Sequence, residues 1–284
     1  MVEQRTREPH RAAEPPRTRE PERTRWALRL LAVGYVVILV VVPLGVMVLR
    51  TFEDGLAEFV ESITSPEAIT AITLSVEVAI QAVLINTIFG VTVSLLITRY
   101  RFRGRNVLNA LIDVPVSVSP VIAGLALILV YGNNGWFGGF LQNIGVQVIY
   151  SVPGIVLATC FVSLPLVVRE LIPVLDEIGL EQEQAGRSLG ASAWQRLWRL
   201  TLPSVRWALA YGVVLSLARA LGEFGAVRVV AGNVLGSTQT MPLLAAQRYN
   251  DLDESGAFAI SFVMVAIAIC CIIVVALLRP SDES

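Results

Sequence analysis

The 284-residue sequence contains no lysine, one histidine and three cysteines, and each shortage closes off a class of function. Without lysine the chain cannot carry the Gly-x-x-x-x-Gly-Lys-Ser/Thr loop that cradles nucleotide phosphates, so any ATP hydrolysis must belong to another chain. His10 stands alone in a polar tail and cannot by itself run acid–base chemistry. Cys160, Cys270 and Cys271 all lie inside apolar runs, with neither a disulfide framework nor metal-ligand spacing. No catalytic, cofactor-binding or metal site is expected in this chain. Charge is scarce as well. Only 16% of residues are charged against 55% hydrophobic, which is too apolar for an ordinary soluble domain.

What the sequence does have is long apolar runs. A helix crossing the hydrocarbon core needs roughly 20 apolar residues. Six segments meet or approach that length, at about 28–49, 69–97, 107–131, 148–168, 202–221 and 255–278. The fold class expected is therefore an all-α membrane protein with six transmembrane helices, its body covering 27–279. Ser151 and Pro153 suit the start of the fourth span. The fifth is the most polar, with Arg206 at one end and Arg219 near the other. Residues 1–26, rich in Arg, Pro and Glu, read as a disordered tail, and 280–284 as a short C-terminal tail. The first apolar run is too long for a signal peptide and lacks a small-residue cleavage site. All 22 basic residues are arginine, and eighteen fall on one side of the expected topology against three on the other. That bias places both termini in the cytoplasm.

The connection between the fourth and fifth spans is long and patterned. Residues 181–190 read as a short helix with acidic residues in its first turn, Arg187 in its last and Gly190 as its stop. A second helix follows at once, with Ser192 and Gln195 spaced as a capping box. Ala193, Trp194, Leu197 and Trp198 share one face, and Pro203 marks entry to the next span. Such a segment can form a cytoplasmic knob that docks on a soluble partner, or an amphipathic segment lying on the bilayer.

Gly190, nine residues, then Leu200-Thr201-Leu202-Pro203 resembles the signature loop of binding-protein-dependent ABC importer permeases. The family's Glu-Ala-Ala positions are here Gln184-Ala185-Gly186, with Glu183 one place early. The resemblance implies a coupling loop over 181–203 that docks on a separate ATPase. Glu183, Gln184, Ala185, Gly186, Leu189, Gly190, Leu200, Leu202 and Pro203 would be its contact residues, and Glu183 would stand in for the missing carboxylate. Further stretches are similar to sulfate and molybdate permeases. They include Leu111-Ile112-Asp113-Val114-Pro115, Ser119-Pro120-Val121-Ile122-Ala123-Gly124, Arg169-Glu170-Leu171-Ile172-Pro173 and Ala218-Arg219-Ala220-Leu221-Gly222-Glu223-Phe224-Gly225. Together they resemble the W-type permease subunit of sulfate/thiosulfate importers. That likeness implies a type I importer fold in a prokaryotic plasma membrane. Its partners would be a T-type permease, two copies of an ATPase that binds ATP and Mg, and an extracytoplasmic sulfate-binding protein, with no nucleic acid. Ala231-Gly232-Asn233 looks more like the molybdate branch, which keeps a molybdate/tungstate importer as the alternative.

A doubly charged oxyanion crossing a low-dielectric region needs donors or water. Arg219 is a candidate, with Glu223 one helix turn on; the two read equally as an intramembrane ion pair. Ser117 and Ser119, beside Pro115 and Pro120, offer hydroxyls and freed backbone groups, or ordinary small-residue packing. Glu77 and Asp113 are expected near the membrane surface or in pairs, and Gln81 and Asn86 as interhelix contacts. Residues 222–236 read as an irregular connection followed by a short helix from Pro242, with Arg248 and Tyr249 as contacts for a binding protein or outer gate. A secondary transporter and a membrane enzyme fit less well. The halves show no repeat, and no His, Cys or carboxylate groups converge within the spans.

Overall fold

The computed structural model describes residues 22–278. Among them every regular element is helical and there is no strand. The chain divides after Met47 into two compact units.

The first unit is helix. α1 spans Glu22–Val36 and α2 spans Val42–Thr51, joined by a π-turn over Val37–Val41. The helix thus begins inside the segment expected to be a disordered tail; the rest of that tail, residues 1–21, lies outside the described residues, as does 280–284. The π-turn has a local cause. Pro43 cannot donate, and its ring would strike the carbonyl four residues back, so the preceding turn widens and the Val42 N–H bonds to the Val37 carbonyl instead. Leu30, Leu31, Ile38 and Val41 are all exposed, as expected of a helix that meets lipid rather than a protein core.

The second unit holds the core. Its elements are α3 (Leu56–Thr64), α4 (Pro66–Arg99), α5 (Arg105–Ser117), α6 (Pro120–Tyr131), α7 (Gly138–Asn143), α8 (Val152–Ile178), α9 (Glu181–Ser188), α10 (Ala193–Arg196), α11 (Leu202–Ser204), α12 (Arg206–Leu221), α13 (Gly225–Val230), α14 (Met241–Asn250) and α15 (Glu254–Leu278). Four helical stretches, the composite α1–α2 helix from Thr24 with α4, α8 and α15, are long and apolar enough to cross a membrane, and two bent pairs raise the number to six.

α4 and α8 form the central pair. Along α4 the residues Ala68, Ala71, Ser75, Ala79, Ala82, Asn86 and Gly90 are buried at three- and four-residue spacing, a strip of small side chains that lets another backbone come close. A Cβ added at Gly90 would lie 2.7 Å from Val167 Cγ1, so α8 occupies the space that a side chain would need. One turn away, Asn86 Nδ2 donates to the Cys160 carbonyl at 3.0 Å and to Ser163 Oγ at 2.9 Å, as expected of an interhelix contact. Gln81 does not share that role: it bonds Glu77 within α4, on an exposed face. Asp113 is paired as expected, its carboxylate taking both Nε and Nη2 of Arg169 and so fastening α5 to α8.

Three expectations need correction. The third span is not a straight helix, since α5 and α6 meet at 113°. Pro120 drives Ser119 out of the helical region, to φ −57° and ψ 132°, and the chain turns there. The fifth is also broken, with a 74° bend at Val205 between Ala193–Ser204 and Arg206–Leu221. The connection 222–236 is not simply irregular. It contains α13, whose Ala226, Val227 and Val230 are buried in the same apolar cluster as α4 and α8. α14 starts at Met241, one residue before the expected Pro242, and its first N–H donates to Ser75 Oγ of α4 at 2.8 Å.

Because α8 fills the space above Gly90, Gly90→Leu should push the two helices apart and cost about 1–3 kcal/mol. Thermal unfolding of the purified protein would show this as a lowered Tm, whereas Gly139→Ala, which meets nothing within 4 Å, should leave it unchanged.

Candidate functional site

The segment 181–203 folds as a knob of two short helices at the end of α8. α9 closes with the N–H of Gly190 on the Arg187 carbonyl (3.0 Å) and that of Ala191 on the Gly186 carbonyl (3.0 Å). This closure needs a left-handed residue, and Gly190 supplies it at φ 84°. α10 opens with the expected capping box. Gln195 N–H donates to Ser192 Oγ, and the Gln195 side chain accepts from the Ser192 N–H. A second π-turn, Leu197–Thr201, then precedes Leu202-Pro203 in the same relation that the first π-turn bears to Pro43. The proline again sets the wider turn.

Gly186 explains itself by position. A Cβ there would lie 2.9 Å from Leu200 Cδ1, so the glycine lets α9 seat directly on the helix that follows. Leu202 is half-buried beside Leu200, while Gln184, Ala185, Leu189, Gly190 and Pro203 face outward. Leu189 is 88% exposed, and Trp194 and Trp198, with rings 5.5 Å apart edge to face, are also uncovered. The knob therefore presents an apolar face with no cover among the described residues.

Glu183 behaves differently from a free docking carboxylate. Its Oε1 accepts from Arg99 Nε at 3.0 Å and from Thr201 Oγ1 at 3.1 Å. Arg99, the last residue of α4, also donates to the Leu175 carbonyl near the end of α8 at 3.0 Å. Its side chain is only 9% exposed. One guanidinium thus joins α4, α8 and α9, and through Glu183 the turn before Pro203. The sequence showed Arg99 only as one of a run of topology-setting arginines; its place at the C-terminal end of a long apolar helix was the available signal.

At the other end of α12 the expected Arg219–Glu223 pair is present, with Nη1 and Oε2 2.7 Å apart. The Glu223 side chain is 2% exposed, and its Oε1 accepts the Ala226 N–H at 2.9 Å, which holds the first turn of α13. Arg219 remains partly open at 39% exposure. Ser117 and Ser119 lie exposed at the α5–α6 break. The break itself does meet α13: a Cβ at Gly225 would lie 3.0 Å from Pro120 Cβ. Arg248 is not an open surface contact. It donates to the Ser62 carbonyl (3.2 Å) and to Ser65 Oγ (2.8 Å), pinning α14 to the α3–α4 junction, whereas Tyr249 is exposed.

If Arg99 and Glu183 act as one joint, a double-mutant cycle with Arg99→Gln and Glu183→Gln should give a coupling of about 0.5–3 kcal/mol in thermal unfolding. Purely additive losses would show that the knob is held by other contacts.

Comparison with known proteins agrees with this architecture. The model of the binding-protein-dependent transport system inner membrane component family matches residues 87–281. A sulfate transport system permease protein CysW from Synechocystis sp. is 42% identical over 245 residues, covering 86% of this chain and 89% of its own. The Escherichia coli K12 protein of that name is 43% identical over 231 residues, covering 81% and 79%. The E. coli CysT permease protein is 38% identical over 232 residues, covering 82% and 84%. In fold, the chain matches a bacterial ABC transporter involved in alginate import with a TM-score of 0.76 at 16% identity, covering 92% of this chain and 97% of that one. This chain, whose regular elements among the described residues are all helical, is thus a transport component and belongs to the family of binding-protein-dependent transport system inner membrane proteins.

Proposed function

We propose that this chain is the membrane-spanning permease subunit of an ATP-driven sulfate importer. The observation that carries the reading is its 42% identity to a sulfate transport permease over 86% of the chain. The physical reading is consistent with it: the chain lacks any nucleotide-phosphate loop, carries a firmly anchored knob with an uncovered apolar face, and has few polar groups within its spans.

In this reading the arginine-rich side is cytoplasmic in a prokaryotic plasma membrane, and both termini lie there. The knob docks on a separate ATPase subunit through Leu189, Gly190, Trp194 and the outward-facing Gln184 and Ala185. ATP and Mg bind to that ATPase, not to this chain. A second, T-type permease pairs with this one, two ATPase copies sit beneath them, and an extracytoplasmic binding protein delivers the anion. Closure of the ATPase dimer on ATP moves the two knobs as rigid bodies. Glu183 contributes as a fastening rather than as a contact: through Arg99 it passes the motion to the adjoining ends of α4 and α8. Gly186, Leu200, Leu202 and Pro203 fix the angle between the knob and α12. Arg219 and Glu223 set the start of α13, and Ser117 and Ser119 line the α5–α6 break on the side facing the partner permease.

Uptake of labelled sulfate into cells with and without this chain tests the substrate. Loss of uptake without the chain, and competition by thiosulfate but not molybdate, is the expected result. Loss of molybdate uptake with sulfate uptake intact would move the assignment to the molybdate branch. Coupling is tested by Gly190→Pro. Proline is locked near φ −65° and lacks the N–H that closes α9, so the variant should insert normally but hydrolyse ATP without importing sulfate. Undiminished uptake by that variant would overturn the docking role.

A further inference from the structure

At the end of α12 remote from the knob, a cavity of about 610 Å³ opens between α13, the loop after it and α14. Its lining includes Phe224, Arg228, Asn233, Gln247, Asn250 and Asp251. Three features of its chemistry point in one direction. Arg228 is exposed and pairs with no carboxylate among the described residues. Its guanidinium lies 5.4 Å over the Phe224 ring, which fixes the plane of the group while leaving its edge donors free. The neighbouring carboxamides have their acceptor oxygens already engaged. Gln247 Oε1 takes Asn233 Nδ2 at 3.4 Å and is also bonded by Gln239 Nε2, which in turn reaches Asn233 Oδ1 at 3.3 Å. Gln239 is only 3% exposed, so the network is anchored from beneath. With the oxygens of Asn233 and Gln247 engaged, their unused hydrogen-bonding capacity toward the cavity is largely N–H. A wall of one cation and several N–H donors matches a tetrahedral oxyanion, whose oxygens only accept.

We propose that this cavity is an oxyanion-binding station of the permease, held by Arg228 with the Gln247 and Asn233 amides. The proposal rests on the sulfate-importer reading and names where that substrate touches this chain. Asp251 in the same lining opposes an anion, which makes the station weak. Weakness suits a passage, because a substrate held tightly is not released onward. The backbone geometry is built to hold the wall in place. Asn233 sits in the left-handed region at φ 51°, and Gly232 before it, at φ 72°, lies against the Tyr150 ring, where a Cβ would come within 3.0 Å. The Tyr150 N–H bonds the Val230 carbonyl at 2.8 Å, tying the segment before α8 to the end of α13 and so holding the Tyr150 ring beside Gly232.

The test uses the purified importer, assembled with its partner permease and ATPase. Equilibrium binding of labelled sulfate is measured without the binding protein, and ATP-driven uptake into proteoliposomes with it. Arg228→Gln should weaken sulfate binding about ten- to a hundredfold, the loss of one charge-assisted hydrogen bond, and slow uptake. Arg228→Lys, which keeps the charge but not the fork, should lose less. Asp251→Asn should tighten binding, and it decides the question should the arginine variants fail to assemble. If the wild-type importer moves sulfate but binds none, or if both Arg228→Gln and Asp251→Asn bind as wild type, the station is overturned while the importer reading stands. If the wild-type importer moves no sulfate, that reading itself fails. Molybdate binding that still depends on Arg228 would then retain the station for another tetrahedral oxyanion.

Discussion

The closeness of α4 to α8 is the constraint on which the rest of the structure depends. Apolar side chains gain little by leaving lipid for one another, so helices in a bilayer associate through close backbone approach and buried polar contacts. Gly90 under Val167 provides the first, and Asn86 bonded to Cys160 and Ser163 provides the second. Once this pair is fixed, the other elements find their places on it. α5 is fastened to α8 through Asp113 and Arg169, α14 to α4 through Ser75, and the knob to the ends of both through Arg99. A small number of polar contacts therefore determines the register of elements whose apolar surfaces are nearly interchangeable.

Much of this was legible from the sequence because apolar length and arginine placement are strong signals. The four long apolar helices, the stretches that form the two bent pairs and the two-helix knob are visible there, down to the Ser192–Gln195 capping box and the Gly190 stop. What escaped was geometry set by single residues in context. Pro120 signals a break, but only packing decides whether the helix bends slightly or turns by 113°. α13 is hidden in the sequence because six residues that open on Gly225 and contain Arg228 carry no helical period, and its burial comes from other elements, mainly α6 and α8. Glu183 looks like a docking group in the sequence because the next residue occupies the family's acidic position. Its partner, Arg99, is 84 residues away, and no local pattern reports such a distance.

The two π-turns show how proline shapes the helix that precedes it. At Val37–Val41 and at Leu197–Thr201 the helix widens by one residue just before an X-Pro pair; the first then runs on to Thr51, the second only to Ser204. The second of these lies at the end of the knob, just before the bend that leads into α12. The angle at which the knob meets the membrane part is thus set by backbone chemistry, reinforced by Thr201 donating to Glu183. At the opposite end, Glu223 does comparable work, neutralising Arg219 and holding the first turn of α13 with the same carboxylate.

The sharp turn between α5 and α6 carries a consequence for the life of the chain in the cell. At Val118 and Ser119 the backbone is extended, Ser117 and Ser119 are exposed, and irregular backbone facing lipid is costly unless protein or water covers it. A copy inserted without a companion would leave that cost unrelieved. If the second permease proposed above is what covers it, an orphan copy is a target for membrane quality control, and the steady-state abundance of this polypeptide would follow the supply of that permease rather than its own rate of synthesis.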